Sequence, residues 1–281
     1  MRIGLVLLLL LCGFAGPRPA SAHGAYHDVV ADLRARLGAK PDDTALRLQL
    51  AAAHVEHGEW QACLDEVSEI EALAPGLHPT GSLSGRALAG LERFEEAVPF
   101  FEAHLAEQPG DPIVHVARAR IRLKQGHVKE GIEDFRAALR SSAKPELYVE
   151  TCEALRRNGM AREALAVVDE GVVRCGADPA ILVCAVECAV ELGEVDAGIA
   201  YLDRLQRVWP RPEPWMQRKA EFLAQAGRNE EATAAWRSLH DHLLALPNLE
   251  RSQPLLADTL AACRRALGIE TPPAVVAPPA D

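Results

Sequence analysis

Histidine and cysteine are the side chains of this 281-residue chain best suited to hold a metal or change oxidation state; it has ten and seven of them. Four histidines come early: His23, His27, His54 and His57. His54 and His57 are three residues apart, on one side of a helix. His23 directly follows Ala20-Ser21-Ala22, which reads as a signal-peptidase site behind Arg2 and the apolar run 3–15. Cleavage there would make His23 the mature N-terminus, offering its α-amine and ring Nδ1 to one metal ion. A third nitrogen, from His27 or from the 54/57 pair, would complete a nitrogen-rich set suited to Cu(II), with Ni(II) and Zn(II) behind it. The plainer alternative is a polar helix rim, with His54 packing near a helix end and His57 favoured by the helix dipole.

The other candidate cluster is sulfur. Six cysteines remain after cleavage, and Cys152, Cys175, Cys184 and Cys188 fall within 37 residues of one another. Cys184 and Cys188 are one helical turn apart. An even count in an exported chain permits a bridge between neighbouring helices, and small buried thiols in close helix packing are the alternative. The spacing is not the CxxC of a zinc knuckle. No enzymatic constellation is visible: there is no phosphate-binding glycine loop and no HExxH, and the serine-elbow look-alike "GSLSG" has Leu83 at its centre. The chain is therefore not expected to be an enzyme.

What positions these residues is a repeat. Gly58, Glu92, Gly126, Gly159, Gly193 and Gly227 are spaced by 34, 34, 33, 34 and 34 residues. Seven residues before these anchors stand Ala51, Gly85, Ala119, Cys152, Val186 and Ala220; five after stand Cys63, Ala97, Gly131, Ala164, Gly198 and Ala232. Nine after come Val67, Phe101, Phe135, Val168, Leu202 and Trp236. Small residues let two helices approach and large ones fill the space beside the contact, so each unit predicts a helical hairpin that turns at its anchor. One hairpin cannot bury its own apolar face, so six must stack. "HDVVADLRARL" predicts a leading helix over 27–38 and "QPLLADTLAACRRAL" a closing helix ended by Gly268. A five-residue connection makes the leading helix antiparallel to a helix over 44–57, which carries His23 and His27 towards His54 and His57.

Period, small positions and the late prolines Pro75, Pro109 and Pro210 make this pattern resemble the tetratricopeptide repeat, most closely in "GEWQACLDEVSEIEALAP" and "LERFEEAVPFFEAHLAEQP". The resemblance implies an all-α, right-handed solenoid over residues 44–247, with a capping segment at 23–43 and a capping helix at 248–268. It departs from the pattern at Ala161, where an aromatic is expected, and in "PTGSLSGRALAG", whose glycines predict a short first helix. The remaining segments read as a signal peptide (1–22) and a proline-rich extended tail (269–281). The terminal histidine with its neighbour also resembles, locally, the histidine brace of copper monooxygenases, whose folds are different.

Such repeats imply a binding scaffold whose concave face is lined by the first helix of each hairpin. The implied exposed positions, six and two residues before each anchor, are basic in the middle, with Arg86, Arg120, Lys124 and Arg157, and acidic towards the C-terminus, with Glu187, Glu191 and Glu221. This charge suits a protein or peptide partner with an acidic segment or a terminal carboxylate. The formal net charge is −10, and −12 once Arg2 and Arg18 leave with the signal, which disfavours nucleic acid. Cys12 follows Leu11, where a lipoprotein signal carries a small residue, so no lipid anchor is expected. No run after the signal is apolar enough for stable membrane insertion. The expectation is an exported scaffold, periplasmic or secreted, with a copper- or other metal-binding protein as the alternative.

Overall fold

The computed structural model describes residues 20–269, with side chains from Tyr26 onward. The expected signal segment lies almost wholly outside the described residues, as does the proline-rich tail. Every regular element described is a helix: α1 (Ala20–Ala39), α2 (Thr44–His57), α3 (Trp60–Leu73), α4 (Gly81–Gly90), α5 (Phe94–Glu107), α6 (Pro112–Lys124) and α7 (Val128–Ser141), then α8 (Pro145–Arg157), α9 (Ala161–Cys175), α10 (Pro179–Leu192), α11 (Val195–Val208), α12 (Glu213–Gln225), α13 (Asn229–Ala245), the short α14 (Asn248–Arg251) and α15 (Pro254–Leu267). They form two compact units that divide between Ser141 and Ser142. In the first, α1 packs on α2, and the hairpins α2–α3, α4–α5 and α6–α7 follow. In the second, the hairpins α8–α9, α10–α11 and α12–α13 are followed by α15, which packs on α13.

The repeat anchors are where each hairpin turns. Gly58, Gly126, Gly159, Gly193 and Gly227 all have φ between +69° and +81°, the left-handed conformation that glycine adopts without a Cβ penalty. Glu92 takes the sixth position with φ +58°, the only described residue other than glycine in that region. Asp43, Asp111 and Asp178 start the first helices α2, α6 and α10, each accepting hydrogen bonds from backbone N–H groups of the first turn. Helix α1 begins at Ala20, earlier than the expected residue 27, and runs through Gly24.

The small positions lie where helices touch. Ala51, Cys63, Ala97, Ala119, Cys152, Ala164 and Ala220 are fully buried. At Gly85 a Cβ would lie 2.5 Å from Phe101 Cε1, and at Gly198 equally close to Phe222 Cε1. Helix α4 is 10 residues long, shorter than its counterparts, as its glycines predict, and two of those glycines are needed: Gly85 admits Phe101, and Gly90 admits the Trp60 ring. The large positions Phe101, Phe135, Val168 and Leu202 are at most 1 % exposed. Trp236 packs with Leu239, Leu243, Leu256, Leu260 and Cys263, the cluster that α15 closes.

Candidate functional site

The exposed residues of the first helices carry the charge. In the first unit, Arg86 on α4 pairs with Glu56 on α2 at 2.7 Å. Arg120 and Lys124 are exposed one turn apart on α6, which packs against α4. Lys124 Nζ lies 3.1 Å from Glu92 Oε1 and 5.1 Å from the centre of the Phe94 ring. Glu56 and Glu92 are both well exposed; the Lys124–Glu92 pair, exposed on both sides, contributes at most about 1 kcal/mol, so another carboxylate can displace Glu92.

The fourth basic residue, Arg157, belongs to the second unit. It pairs within its own helix, with Glu153 at 2.7 Å. The arginine that reaches across to the next first helix is its neighbour Arg156, which holds both Glu187 and Glu191 of α10. Sequence spacing placed those two glutamates in an acidic stretch and overlooked Arg156, whose side chain is four-fifths buried. Beside them is a shallow cleft of about 300 Å³, lined by Pro145, Glu146, Val149, Glu150, Glu153, Asp178 and Ala180. Its charge is acidic, opposite to that of α4 and α6.

At the N-terminal edge, α1 and α2 pack so that Tyr26 meets the last turn of α2. The Tyr26 hydroxyl is 2.9 Å from His54 Nδ1, and its ring stacks on His57 with centroids 3.9 Å apart. His27 is exposed and its ring is tilted 51° to that of Tyr26. Sequence reasoning thus paired the right helix ends but missed the tyrosine between them. Burial, aided by the Arg34 charge, lowers the His54 pKa below its ordinary 6.5. The lowered pKa favours the neutral imidazole, hydrogen-bonded through Nδ1 to the Tyr26 hydroxyl, while burial raises the Tyr26 pKa. Among the described residues, no three or more His, Cys, Asp or Glu side chains converge in a way that could hold a metal ion. The His23 side chain lies outside the described residues.

The cysteines separate into two places. Cys152 on α8 and Cys188 on α10 are fully buried with sulfurs 3.5 Å apart, and Cys184 lies close enough to hydrogen-bond Cys152. Cys175 is half-exposed at the end of α9, where its thiol donates to Ala143 O at 3.0 Å. All six described cysteines are thiols.

One constellation escaped sequence reasoning. Asp134, buried on α7, accepts from Arg118 Nε at 3.0 Å, Arg118 Nη2 at 2.7 Å and Arg122 Nη1 at 2.8 Å. His115 Nδ1 is 3.2 Å away, and its Nε2 faces Pro109 O at 2.9 Å. The signal was available: an acid between the core residues Ile132 and Phe135, opposite two arginines one turn apart. With its oxygens so occupied, Asp134 ties α6 to α7.

No family model matches the chain, and no curated protein matches it. Solved structures do. The C-terminal part of a TPR repeat-containing protein from Cytophaga hutchinsonii aligns with 85 % of this chain and 96 % of its own, with a TM-score of 0.61 and 12 % identity. A tetratricopeptide repeat protein from Parabacteroides merdae aligns over 82 % of this chain and 94 % of its own, with a TM-score of 0.50 and 12 % identity. Likeness at this identity is likeness of fold, and the fold of this chain is the stacked helical hairpin of tetratricopeptide repeat proteins.

Proposed function

We propose that this chain is a scaffold, not an enzyme, and that it holds a protein or peptide partner on the first-helix faces of its hairpins. On the first unit the partner segment is acidic or ends in a free carboxylate. The observation that carries this reading is the trio Arg86, Arg120 and Lys124 on the two packed helices α4 and α6, with half-buried Arg86 and exposed Lys124 each paired to a well-exposed glutamate. A carboxylate of the partner takes the place of Glu92 at small cost, and adjacent cations raise the on-rate for an acidic segment. The whole chain carries a formal net charge of −10, so a nucleic acid is not the partner proposed. The test is anisotropy titration of a fluorescent glutamate-rich decapeptide, with its C-terminus free or amidated. Reversal of Arg120 and Lys124 to Glu should weaken binding by about tenfold or more, since reversing each of two charge contacts is worth roughly 1 kcal/mol. Unchanged binding would reject the site, and weakening by amidation alone would assign it to the terminal carboxylate.

A second reading concerns the N-terminal edge, supported by the packing of α1 that carries His27 to the turn bearing His54 and His57. It has the chain exported, trimmed to His23 and binding Cu(II) through the new α-amine. Protein starting at His23 should then bind Cu(II) more tightly than protein with one extra N-terminal alanine; equal affinity would remove the amine from the site.

A further inference from the structure

The second unit contains a group of sulfurs that packing alone does not require. Cys152 stands at a position where the other repeats carry Ala51, Gly85, Ala119, Val186 and Ala220, none of which can be oxidised. Its sulfur faces that of Cys188 at 3.5 Å across the contact between α8 and α10, the first helices of consecutive hairpins. Cys184, one turn before Cys188, is 5 % exposed. The remaining described thiols have other surroundings: Cys63 lies in the first unit, Cys175 contacts Ala143 O, and Cys263 lies in the cluster closed by α15.

We infer that Cys152 and Cys188, thiols in this structure, form a disulfide under oxidising conditions that staples α8 to α10, closed while the chain folds and sealed by the packing thereafter. A sulfur–sulfur distance of 3.5 Å leaves about 1.5 Å to close before the covalent length of about 2.05 Å. In the folded chain the contact with Cys152, and Arg156 held by Glu187 and Glu191 of α10, favour the Cys188 thiolate, while burial opposes it.

The oxidant is an external disulfide, either a small molecule or a disulfide oxidoreductase. Either cysteine, as its thiolate, attacks one of the oxidant's sulfurs, forming a mixed disulfide and expelling the other as thiolate. The second cysteine then loses its proton and attacks the protein sulfur of that mixed disulfide, expelling the second thiolate. One S–S bond breaks and one forms. Two electrons and the two thiol protons pass to the oxidant. Cys152 and Cys188 are both 0 % exposed, so this exchange cannot proceed on the closed fold and belongs to folding or to a local opening.

The experiment uses the full chain, refolded from denaturant in a mixture of reduced and oxidised glutathione, then denatured, alkylated, digested and mapped by mass spectrometry. The expected product is 2 Da lighter than the reduced chain and yields a cross-linked peptide containing Cys152 and Cys188. Closing a loop of this length should raise the thermal midpoint by about 10 °C, a gain removed by reductant. C184A should keep that reductant-sensitive shift and C188A should lose it. Peptide mapping of the unsubstituted chain decides the matter even if a variant fails to fold. Complete alkylation of all thiols, or a Cys152–Cys184 cross-link in place of the Cys188 one, would overturn the inference. Folded, reduced protein exposed briefly to the same buffer should stay unbridged; bridging there as fast as during refolding would overturn closure during folding.

Discussion

Glu92 does at one turn what glycine does at five others. Its φ of +58° costs a residue with a Cβ about 1–2 kcal/mol, and its carboxylate recovers little through an exposed pair with Lys124. Glu92→Gly should therefore stabilise the chain by about 1 kcal/mol in urea unfolding, the gain being reduced by the extra freedom of glycine in the unfolded chain. A loss of stability would mean that the Lys124 pair outweighs the backbone strain. The sixth anchor was legible from spacing alone, but its conformation was not, because glutamate carries no sign of a left-handed turn. His54 offers a second test at this scale. Its folded pKa lies below the unfolded 6.5, so the unfolded chain takes up a proton that the folded chain resists. Its contribution is complete above pH 6.5 and is lost as pH falls through that value towards the folded pKa. Between pH 7.5 and 5.5 the thermal midpoint should fall more steeply for the natural chain than for His54→Gln; parallel curves would show that the imidazole titrates alike in both states. Arg34, Glu59 and Glu66 are the charges that act on it.

Between helices, the decisive contacts are those between small residues and the polar ties that lock a hairpin. Period and size were enough to find the helix pairs, because the small residues at two fixed offsets mark the lines where α-helices meet. They were not enough to find what crosses between helices. Tyr26, Arg156 and Asp134 each act through a partner 16 to 35 residues away, and such pairings depend on side-chain direction, which a repeat period does not carry. Of the four basic residues expected on the binding face, Arg86 reaches a neighbouring helix and Arg157 pairs within its own. Asp134 gives the sharpest test of such a tie. Replacing it with alanine leaves Arg118 and Arg122 as half-buried cations without their shared carboxylate, and removal of one partner from a buried ion network costs about 3–5 kcal/mol. Asp134→Asn keeps the shape and part of the hydrogen bonding, so its loss should be smaller. Equal, small effects from both substitutions, measured by denaturant midpoint, would show that water replaces the carboxylate there.

At the scale of the molecule, the structural description is two compact units, each a run of hairpins in which a helix touches only its near neighbours. Stability in such a run is close to a sum of hairpin terms and nearest-neighbour contacts, so a local injury stays local. Gly198 provides the injury. A Cβ there would lie 2.5 Å from Phe222 Cε1, so Gly198→Ala forces α11 from α12. Overpacking costs about 1–3 kcal/mol, from which the better helix propensity of alanine subtracts up to 1. Amide hydrogen exchange reads where that cost falls. Protection should drop most in α10–α11 and α12–α13, less in α8–α9, and not measurably in α2–α3 of the first unit. Gly85→Ala, which meets Phe101 in the same way, should give the complementary pattern: loss in α4–α5 and its neighbours in the first unit, none in α12–α13. If either substitution lowers protection evenly along the whole chain, the repeats unfold as one cooperative body and the nearest-neighbour description fails. If the loss is graded, an acidic partner bound on α4 and α6 should in turn raise protection there and in the flanking hairpins, because binding to the folded form stabilises the elements that carry the contact.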